Sequence, residues 1–500
     1  MNINEAKDYI KHSIQVYLKK DEFGDYKIPV VRQRPIFLLG APGIGKTAIM
    51  EQIAQEMGIA LVSYSMTHHT RQSALGLPFI KQKEYGGKTY DVSEYTMSEI
   101  IASVYETMEE SGVKEGVLFL DEINCVSETL APSMLQFLQY KVFGKHKVPE
   151  GWVIVTAGNP PEYNKSVREF DVVTMDRLKV LSVEADYNTW KIYARERGIH
   201  GAILNFLDIK KEYFYHMETT GAGRSYVTAR GWEDLSQVML LYEEDGLKVD
   251  ETLFGQYLQN ETIVKEFGAY YDLYNKYKKD YEVEELLAGN ISEGMISKAK
   301  NASFDERLSL LGMLIDKLQS EMKDVMETSA YLTELMPPLK AVKTADSAYK
   351  MIETQEKARE KLLHNLASAN SLSSEDKRKH KRIQLFLNTV KKELLEFGIL
   401  MDDNDSVFTF VKERFDGQVA DMKTAVAHTG DRLHYLFEFA NQAFSQGNEM
   451  LVLVTELTVN KYSARYISMY GCEDYQKYNG LLMVSERSQD LKEEIKDLML

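Results

Sequence analysis

The chain has 500 residues, of which 44% are hydrophobic, so it exceeds one ordinary domain and two or three packed domains are expected. Its formal net charge of −16 argues against DNA or RNA as the main partner, because proteins that bind nucleic acids present a basic surface. Two cysteines are too few for a disulfide framework or a cysteine-rich zinc site.

The first residues predict an amphipathic helix, with Ile10 and Ile14 on one face and no apolar core of the kind found in secretory signals. The longest apolar run, near 450–454, is far too short to span a bilayer. We therefore expect a cytoplasmic protein without a membrane segment.

The most specific motif is a glycine-rich loop at 40–47, which fits G-x-x-x-x-G-K-[ST] between a predicted buried strand at 35–39 and a predicted helix from Ala48. Its glycines let backbone N–H groups turn towards a phosphate at a helix N-terminus, while Lys46 reaches the β- and γ-phosphates and Thr47 can ligate Mg²⁺. The predicted nucleotide-binding residues are Gly40, Ala41, Pro42, Gly43, Ile44, Gly45, Lys46, Thr47 and Ala48.

A second predicted strand, at 116–120, is followed by two carboxylates. Parallel strands that are buried on both faces open their C-terminal ends at the ligand edge of the sheet, beside the phosphate loop. Asp121 would then hold Mg²⁺, directly or through water, and Glu122 would orient and polarise the attacking water. Together the two motifs predict nucleotide hydrolysis.

In these features the chain resembles the AAA+ ATPases, and two later segments strengthen the resemblance. Residues 152–160 are similar to the sensor-1 strand of that family, which implies that Asn159 helps to hold the water against the γ-phosphate. Residues 174–178 stand where relatives carry the arginine finger. The resemblance therefore implies that Arg177 neutralises charge at the nucleotide of a neighbouring subunit.

Residues 225–232 resemble the start of the lid helix that carries the sensor-2 arginine. This likeness implies that Arg230 contacts the nucleotide, and Arg224 is a nearby alternative for the same role. The lid would close over the nucleotide and convert the loss of phosphate into domain rotation.

Within the AAA+ proteins the chain is most similar to the MoxR-like group, which is related to the dynein, midasin, McrB and chelatase modules. The long interval between Lys46 and Asp121 leaves room for a hairpin at 75–90 and a helix at 98–104, similar to the helix-2 insert of that branch. A second hairpin is predicted at 139–148. Both hairpins would face the pore of a ring and engage a polypeptide; two ordinary loops are the alternative.

The predicted fold class is α/β, with a P-loop core whose parallel sheet has helices on both faces. We expect this core at 1–185, a helical lid at 186–250 and an α-helical accessory domain at 251–500. The resemblance ends near residue 245.

Three expectations concern the last part of the chain. Residues 270–281 predict a helix with tyrosines on a core, in preference to a base-stacking surface. A long helix from Leu308 should stop at Pro337-Pro338, and 367–382 should form an exposed loop between helices.

The resemblance implies a Mg²⁺-dependent ATP hydrolase that assembles into a ring, expected to be a hexamer, and remodels or matures a protein partner. Members of the group often work with a protein that carries a von Willebrand factor A domain. Two alternatives stay open: a nucleotide-dependent switch with little turnover, against which Glu122 argues, and a McrB-like motor acting on nucleic acid, which the acidic charge disfavours. The residues do not distinguish ATP from GTP, so ATP follows from the resemblance alone.

Overall fold

The structure is a computed structural model that describes residues 1–68, 72, 74, 76–163, 167–220, 223–444 and 448–480. The chain forms two compact units. The first comprises residues 1–189 and 356–384, and the second comprises residues 190–355 and those from 385 onwards. The division into three parts at residues 185 and 250 stays a prediction.

The described strands are β1 (Ile36–Gly40), β2 (Ala60–Ser65), β3 (Pro78–Tyr85), β4 (Lys88–Tyr95), β5 (Gly116–Asp121), β6 (Val142–Phe143), β7 (His146–Lys147), β8 (Trp152–Gly158), β9 (Lys179–Val183), β10 (His216–Thr220) and β11 (Gly223–Val227).

The described helices are α1 (Ile3–Tyr17), α2 (Lys46–Met57), α3 (Glu99–Ser111), α4 (Ala131–Tyr140), α5 (Val172–Met175), α6 (Tyr187–Arg197), α7 (Gly201–Ile209), α8 (Ala229–Glu244), α9 (Glu251–Tyr257), α10 (Glu261–Asp280), α11 (Val283–Leu287), α12 (Glu293–Asn301), α13 (Phe304–Thr344), α14 (Ala348–Ser368), α15 (Ser374–Glu396), α16 (Asn404–Phe444), α17 (Glu449–Val459) and α18 (Lys461–Tyr470).

The first unit is built on a parallel sheet with the strand order β2-β5-β8-β1-β9. Strand β8 is buried over its whole length, which requires cover on both faces of the sheet. Phe37, Leu118 and Ile154 pack in one core cluster with Ile100 of α3 and Phe137 of α4, and α2 packs on β2 and β5. The predicted α/β class is confirmed, and the C-terminal ends of the strands meet at one edge.

The first unit contains two antiparallel hairpins, as the sequence predicts. In the β3–β4 hairpin, Tyr85 pairs with Lys88, and Gly86 and Gly87 form the turn with φ values of 59° and 76°. Positive φ at both central residues matches the twist of the flanking strands. The β6–β7 hairpin turns at Gly144, whose φ is 57°.

The second unit is largely helical and centres on α13, which packs against α16, α17 and α18. The predicted helix at 270–281 is confirmed in α10, where Tyr271 and Tyr274 are buried. The tyrosines of that segment therefore belong to a core. Among the described residues, no helix combines the length and the apolar character needed to cross a membrane.

The expectation that a helix stops at Pro337-Pro338 is wrong, because α13 runs through both prolines to Thr344. Proline removes a helical hydrogen bond, yet its ring holds φ near the value that a helix needs. Leu335, Leu339 and Val342 are buried around the prolines. Burial of this apolar face keeps the last turns helical.

The expectation of an exposed loop over 367–382 is also wrong. Helix α14 continues to Ser368, and α15 begins at Ser374, so the basic residues 377–382 are helical. The Ser373 hydroxyl accepts a hydrogen bond from the Asp376 N–H at 2.9 Å, which caps the start of α15. The intervening turn is short, and Ala369 within it is fully buried.

Candidate nucleotide-binding site

The glycine-rich loop joins β1 to α2, and its shape depends on glycines that adopt positive φ. Gly43 has a φ of 75° and Gly45 a φ of 95°. Residues other than glycine rarely adopt such values. A Cβ atom on Gly40 would lie 2.6 Å from the carbonyl oxygen of Val183. The first residue of the loop therefore packs so closely on β9 that only glycine fits there. Because α2 starts at Lys46, the unpaired N–H groups of its first turn belong to this loop.

The Lys46 ammonium group is held at the centre of the loop and is almost completely buried. Its Nζ atom donates to the carbonyl oxygens of Gly40 and Ala41, each at 2.8 Å. It also donates to Oδ1 of Asn159 at 2.8 Å. The structure therefore brings two predicted site residues, Lys46 and Asn159, into direct contact.

Thr47 and Asp121, the predicted magnesium ligands, are also neighbours. Thr47 Oγ1 donates to Asp121 Oδ2 at 2.9 Å. The other oxygen of Asp121, Oδ1, accepts from the backbone N–H of Glu122 at 2.9 Å. Oxygen donors of this kind suit Mg²⁺, which usually takes one or two carboxylates and completes its shell with water and substrate phosphates. The residues present fit that ion.

Denser metal-binding clusters are not found in the described part of the chain, where no group of three or more His, Cys, Asp or Glu side chains could hold a metal ion. The Thr47–Asp121 pair alone would be a weak cage. A cation there would depend on the phosphates of a nucleotide for further ligands.

Glu122 begins a tight turn at the end of β5, where its backbone adopts the left-handed conformation with a φ of 55°. Its Oε2 atom accepts hydrogen bonds from Ser65 Oγ at 3.1 Å and from Thr67 Oγ1 at 3.0 Å. Neither hydroxyl residue is among the site residues predicted from the sequence. The available signal was their position directly at the end of β2, which pairs with β5 so that Ser65 lies opposite Asp121.

Asn159 is supported by a residue that was not among the predicted site residues, Asn124. The Asn124 Nδ2 atom donates to the backbone oxygen of Asn159 at 2.8 Å. A Cβ atom on Gly158 would lie 2.4 Å from Oδ1 of Asn124, so the contact depends on glycine at the end of β8. Asn124 thereby fixes the path of the chain that leads to Asn159.

Arg177 lies between α5 and β9, and its side chain is exposed. Among the described residues, no hydrogen bond or ion pair brings it to the phosphate loop of its own chain. Asp171, which caps α5, accepts the N–H of Thr174 at 2.7 Å. Hydrogen bonds from Thr174, and next the Arg177 charge, hold the pKa of Asp171 below its usual value. The adjacent Val172 is 84% exposed, which leaves an apolar surface beside the arginine.

The two candidates for the lid arginine belong to the second unit. Arg230 is exposed in the first turn of α8, which Thr228 caps by accepting the N–H of Gly231 at 3.2 Å. Arg224 lies on β11, and its side chain falls outside the described ones. The assignment of Arg230, or alternatively Arg224, as the lid arginine stays a prediction.

Residues 36–175 match the model of the family described as "ATPase family associated with various cellular activities (AAA)". The match starts at β1 and ends with α5, so it includes the glycine-rich loop, Asp121, Glu122 and Asn159. No curated protein matches the chain significantly. The family match and the parallel sheet together support an AAA-type nucleotide-binding core in the first unit.

Proposed function

We propose that the protein is a cytoplasmic AAA+ ATPase of the MoxR-like type, which hydrolyses ATP in an oligomeric ring and thereby remodels or matures a protein partner. The observation that carries this proposal is the junction of Lys46, Asn159, Thr47 and Asp121 at one edge of the sheet. Residues from three different strand ends converge there on the start of one helix, which is the arrangement that a nucleoside triphosphate needs.

Each residue has a defined task in this proposal. The N–H groups of the loop and the Lys46 ammonium group bind the β- and γ-phosphates. Thr47 and Asp121 would hold Mg²⁺, which when bound neutralises charge on those phosphates. Glu122 accepts a proton from the water whose oxygen attacks the γ-phosphorus, and Asn159 orients that water. The bond between the γ-phosphorus and the β–γ bridging oxygen breaks, and ADP leaves with that oxygen.

The exposed position of Arg177 supports a site that is shared between subunits. An arginine finger has to leave its own subunit and reach the phosphates of the next one. The exposed valines of α5 offer apolar surface for such an interface, since Val172 and Val173 are 84% and 59% exposed. A hexameric ring is the expected assembly.

The two hairpins of the first unit support a polypeptide as the client. Tyr85 and Tyr90 flank the glycine turn of the β3–β4 hairpin, with ring centroids 6.2 Å apart, and both are about half exposed. Aromatic rings in such a position can contact an extended chain of varied sequence. A protein with a von Willebrand factor A domain is a candidate adaptor, and the helical second unit would serve partner binding or ring assembly.

Glu94 joins these two hairpins. Its carboxylate, which is 7% exposed, forms ion pairs with Lys145 of the β6–β7 turn and with Lys83 of β3. The hydrogen bond from Lys145, followed by that from Lys83, holds the pKa of Glu94 at about 2. The hairpins are thus connected and could act on a client together.

The proposal is tested by ATP binding and ATP turnover in two variants. Lys46→Ala should abolish binding, because the loop loses its only cationic side chain. Glu122→Gln should bind ATP normally and lose about 100-fold or more of its turnover. The control is Glu51→Gln, an exposed position on α2. Tight ATP binding by Lys46→Ala would show that the glycine-rich loop does not bind the phosphates through Lys46. Near-normal turnover by Glu122→Gln would show that Glu122 does not accept the proton of the attacking water.

A further inference from the structure

The second unit contains a cavity of about 490 Å³, which is lined by residues of α7, α10, α11 and α13. Its volume lies within the range of small-molecule sites. The side chains of Tyr274 and Met313 in its wall are buried, whereas Lys278, Lys279 and Glu282 line it and are exposed. The cavity therefore has an apolar interior and opens to solvent on a charged side.

Asp316 lines the same cavity, and its carboxylate has an oxygen without a partner. Within the described chain, the buried Oδ2 atom of Asp316 has no hydrogen-bond donor. A Cβ atom on Gly201 would lie 2.6 Å from this oxygen and 2.8 Å from the hydroxyl oxygen of Tyr274. Glycine at the start of α7 thus leaves room for both oxygens. Buried acceptors are nearly always paired in proteins, so this carboxylate is suited to a donor from outside the chain.

The charges around Asp316 do not balance. The nearby cations are Arg195 and Lys191, and both are engaged elsewhere. Arg195 Nη1 lies 2.6 Å from Glu456 Oε2, while Lys191 Nζ lies 2.5 Å from Glu456 Oε1 and 2.8 Å from Asp208 Oδ1. Two cations and two carboxylates neutralise each other, and Asp316 remains as an additional negative charge. Burial raises its pKa to about 6, because the nearby cations offset little of the cost of the charge.

We propose that this cavity binds a small organic ammonium ion, whose nitrogen pairs with Asp316 and whose hydrocarbon part packs on Tyr274 and Met313. An ammonium group carries three N–H donors and no acceptor. It would supply both the donor that Asp316 Oδ2 lacks and the positive charge that the surrounding ion pairs lack. The site belongs to the second unit, and the inference does not depend on the proposed hydrolysis of ATP.

The lining of the cavity favours an organic cation over a metal ion. In the described part of the chain, no group of three or more His, Cys, Asp or Glu side chains could hold a metal. One carboxylate with apolar neighbours is a poor cage for a hard cation, which prefers several oxygen ligands. The remaining charged residues of the lining are three lysines and three glutamates, so they do not repel a cation as a group.

The test titrates the full chain with n-butylamine, a cation at neutral pH, by isothermal titration calorimetry. 1-Butanol serves as the uncharged probe of the same shape. Asp316→Asn removes the charge and keeps the size of the side chain. The matched control is Asp324→Asn, an exposed position on the same helix. Amide hydrogen exchange of the wild type, with and without the amine, locates the site without any variant.

The wild type and Asp324→Asn should bind n-butylamine with a Kd of about 1 mM, an affinity that so small a ligand can reach. Asp316→Asn should bind it about tenfold more weakly or worse, the usual effect of losing a hydrogen bond to a charged group. 1-Butanol should bind the wild type with a similar loss of affinity. The amine should slow exchange over residues 278–285 and 313–317.

Three results would overturn the proposal. The first is no binding of n-butylamine by the wild type, and the second is equal binding by the wild type and Asp316→Asn. The third is binding that leaves exchange over 278–285 and 313–317 unchanged, because the amine would then occupy another place. Equal affinity for 1-butanol would reject the ammonium group as the feature that is recognised. None of these results bears on ATP hydrolysis, which is tested separately.

Discussion

The Nζ atom of Lys46 lies 2.8 Å from Oδ1 of Asn159. These residues follow β1 and β8, which are neighbours in the sheet with Leu39 paired to Gly158. Phosphate oxygens that enter the loop must compete with Asn159 for the same ammonium group. Nucleotide binding in the loop would thereby change the hydrogen bonding of Asn159, the residue that is proposed to orient water.

Substitution of Asn159 should therefore separate binding from hydrolysis. Asn159→Ala is expected to keep ATP affinity within a few-fold and to lower turnover about 100-fold, the usual effect of losing one preorganised polar group at a reacting phosphate or carbonyl. Equilibrium titration with a fluorescent ATP analogue and a coupled ATPase assay measure the two effects. Asn301→Ala, on an exposed face of α12, is the control. Turnover within twofold of the wild type would contradict the role.

Gly158 should tolerate no side chain. In Gly158→Ala the new methyl group would meet Asn124 at 2.4 Å, and overpacking of this kind costs about 1–3 kcal/mol. Scanning calorimetry should show a melting transition lowered by about 3–10 °C. Gly417→Ala is the matched control, because a Cβ atom there has no atom within 4 Å and lies in α16. Equal stability of the two variants would show that Asn124 moves away from the new methyl group without a loss of stability.

A buried carboxylate in the second unit gives a pH-dependent prediction. Asp316 lies on the wall of a cavity of about 490 Å³, and within the described chain its Oδ2 atom has no hydrogen-bond partner. Burial raises the pKa of Asp316 to about 6 from 3.8. Among the surrounding charges, Arg195 and Lys191 oppose this shift, while Glu456 and Asp208 add to it.

The raised pKa of Asp316 determines whether stability rises or falls with pH. Between about pH 4 and 6 the folded state holds the Asp316 proton more tightly than the unfolded state, so the ionised group lowers stability as the pH rises through this range. Asp316→Asn should raise the free energy of unfolding at pH 7.5 by up to about 3 kcal/mol. The gain should shrink towards zero near pH 4. Asp324→Asn, an exposed position on the same helix, should show no such trend; an Asp316→Asn gain that is independent of pH would contradict this account.

Arg177 should act on a neighbouring subunit. Arg177→Ala is expected to lose most ATPase activity while binding ATP, and Lys46→Ala to be inactive because it cannot bind. In a mixture, a site that combines an intact loop from one protein with an intact Arg177 from the other should recover part of the activity. Arg32→Ala, an exposed arginine of the first unit, serves as the control that retains activity on its own. An inactive mixture in rings shown to exchange subunits would argue against a shared site.

Local patterns were enough to predict the parts of the site that a short segment specifies. The glycine-rich loop, the apolar run before Asp121 and the strand before Asn159 each carry their own signal. A continuous apolar run must be buried on both faces, and this placed their ends at one edge of a parallel sheet. The structure has these strands at the predicted places, to within about two residues.

Contacts that depend on which elements become neighbours could not be predicted in this way. Ser65 and Thr67 acquire a role only because β2 lies beside β5, and serine or threonine after a strand is otherwise ordinary. The docking of Ala369 and Asn370 on Leu61 joins positions that are 309 residues apart in the case of Asn370. The small, polar sequence of that turn is typical of an exposed loop, and its partner strand is what buries Ala369 within it.

The proposed function depends on a ring of subunits that hydrolyses ATP at shared sites. Its most direct test is the steady-state ATPase rate per subunit measured against protein concentration, with light scattering after size exclusion on the same samples, with and without ATP and Mg²⁺. For shared sites, the rate per subunit should climb with concentration as a species of about six subunits appears. A constant rate per subunit from a protein that stays monomeric would contradict it.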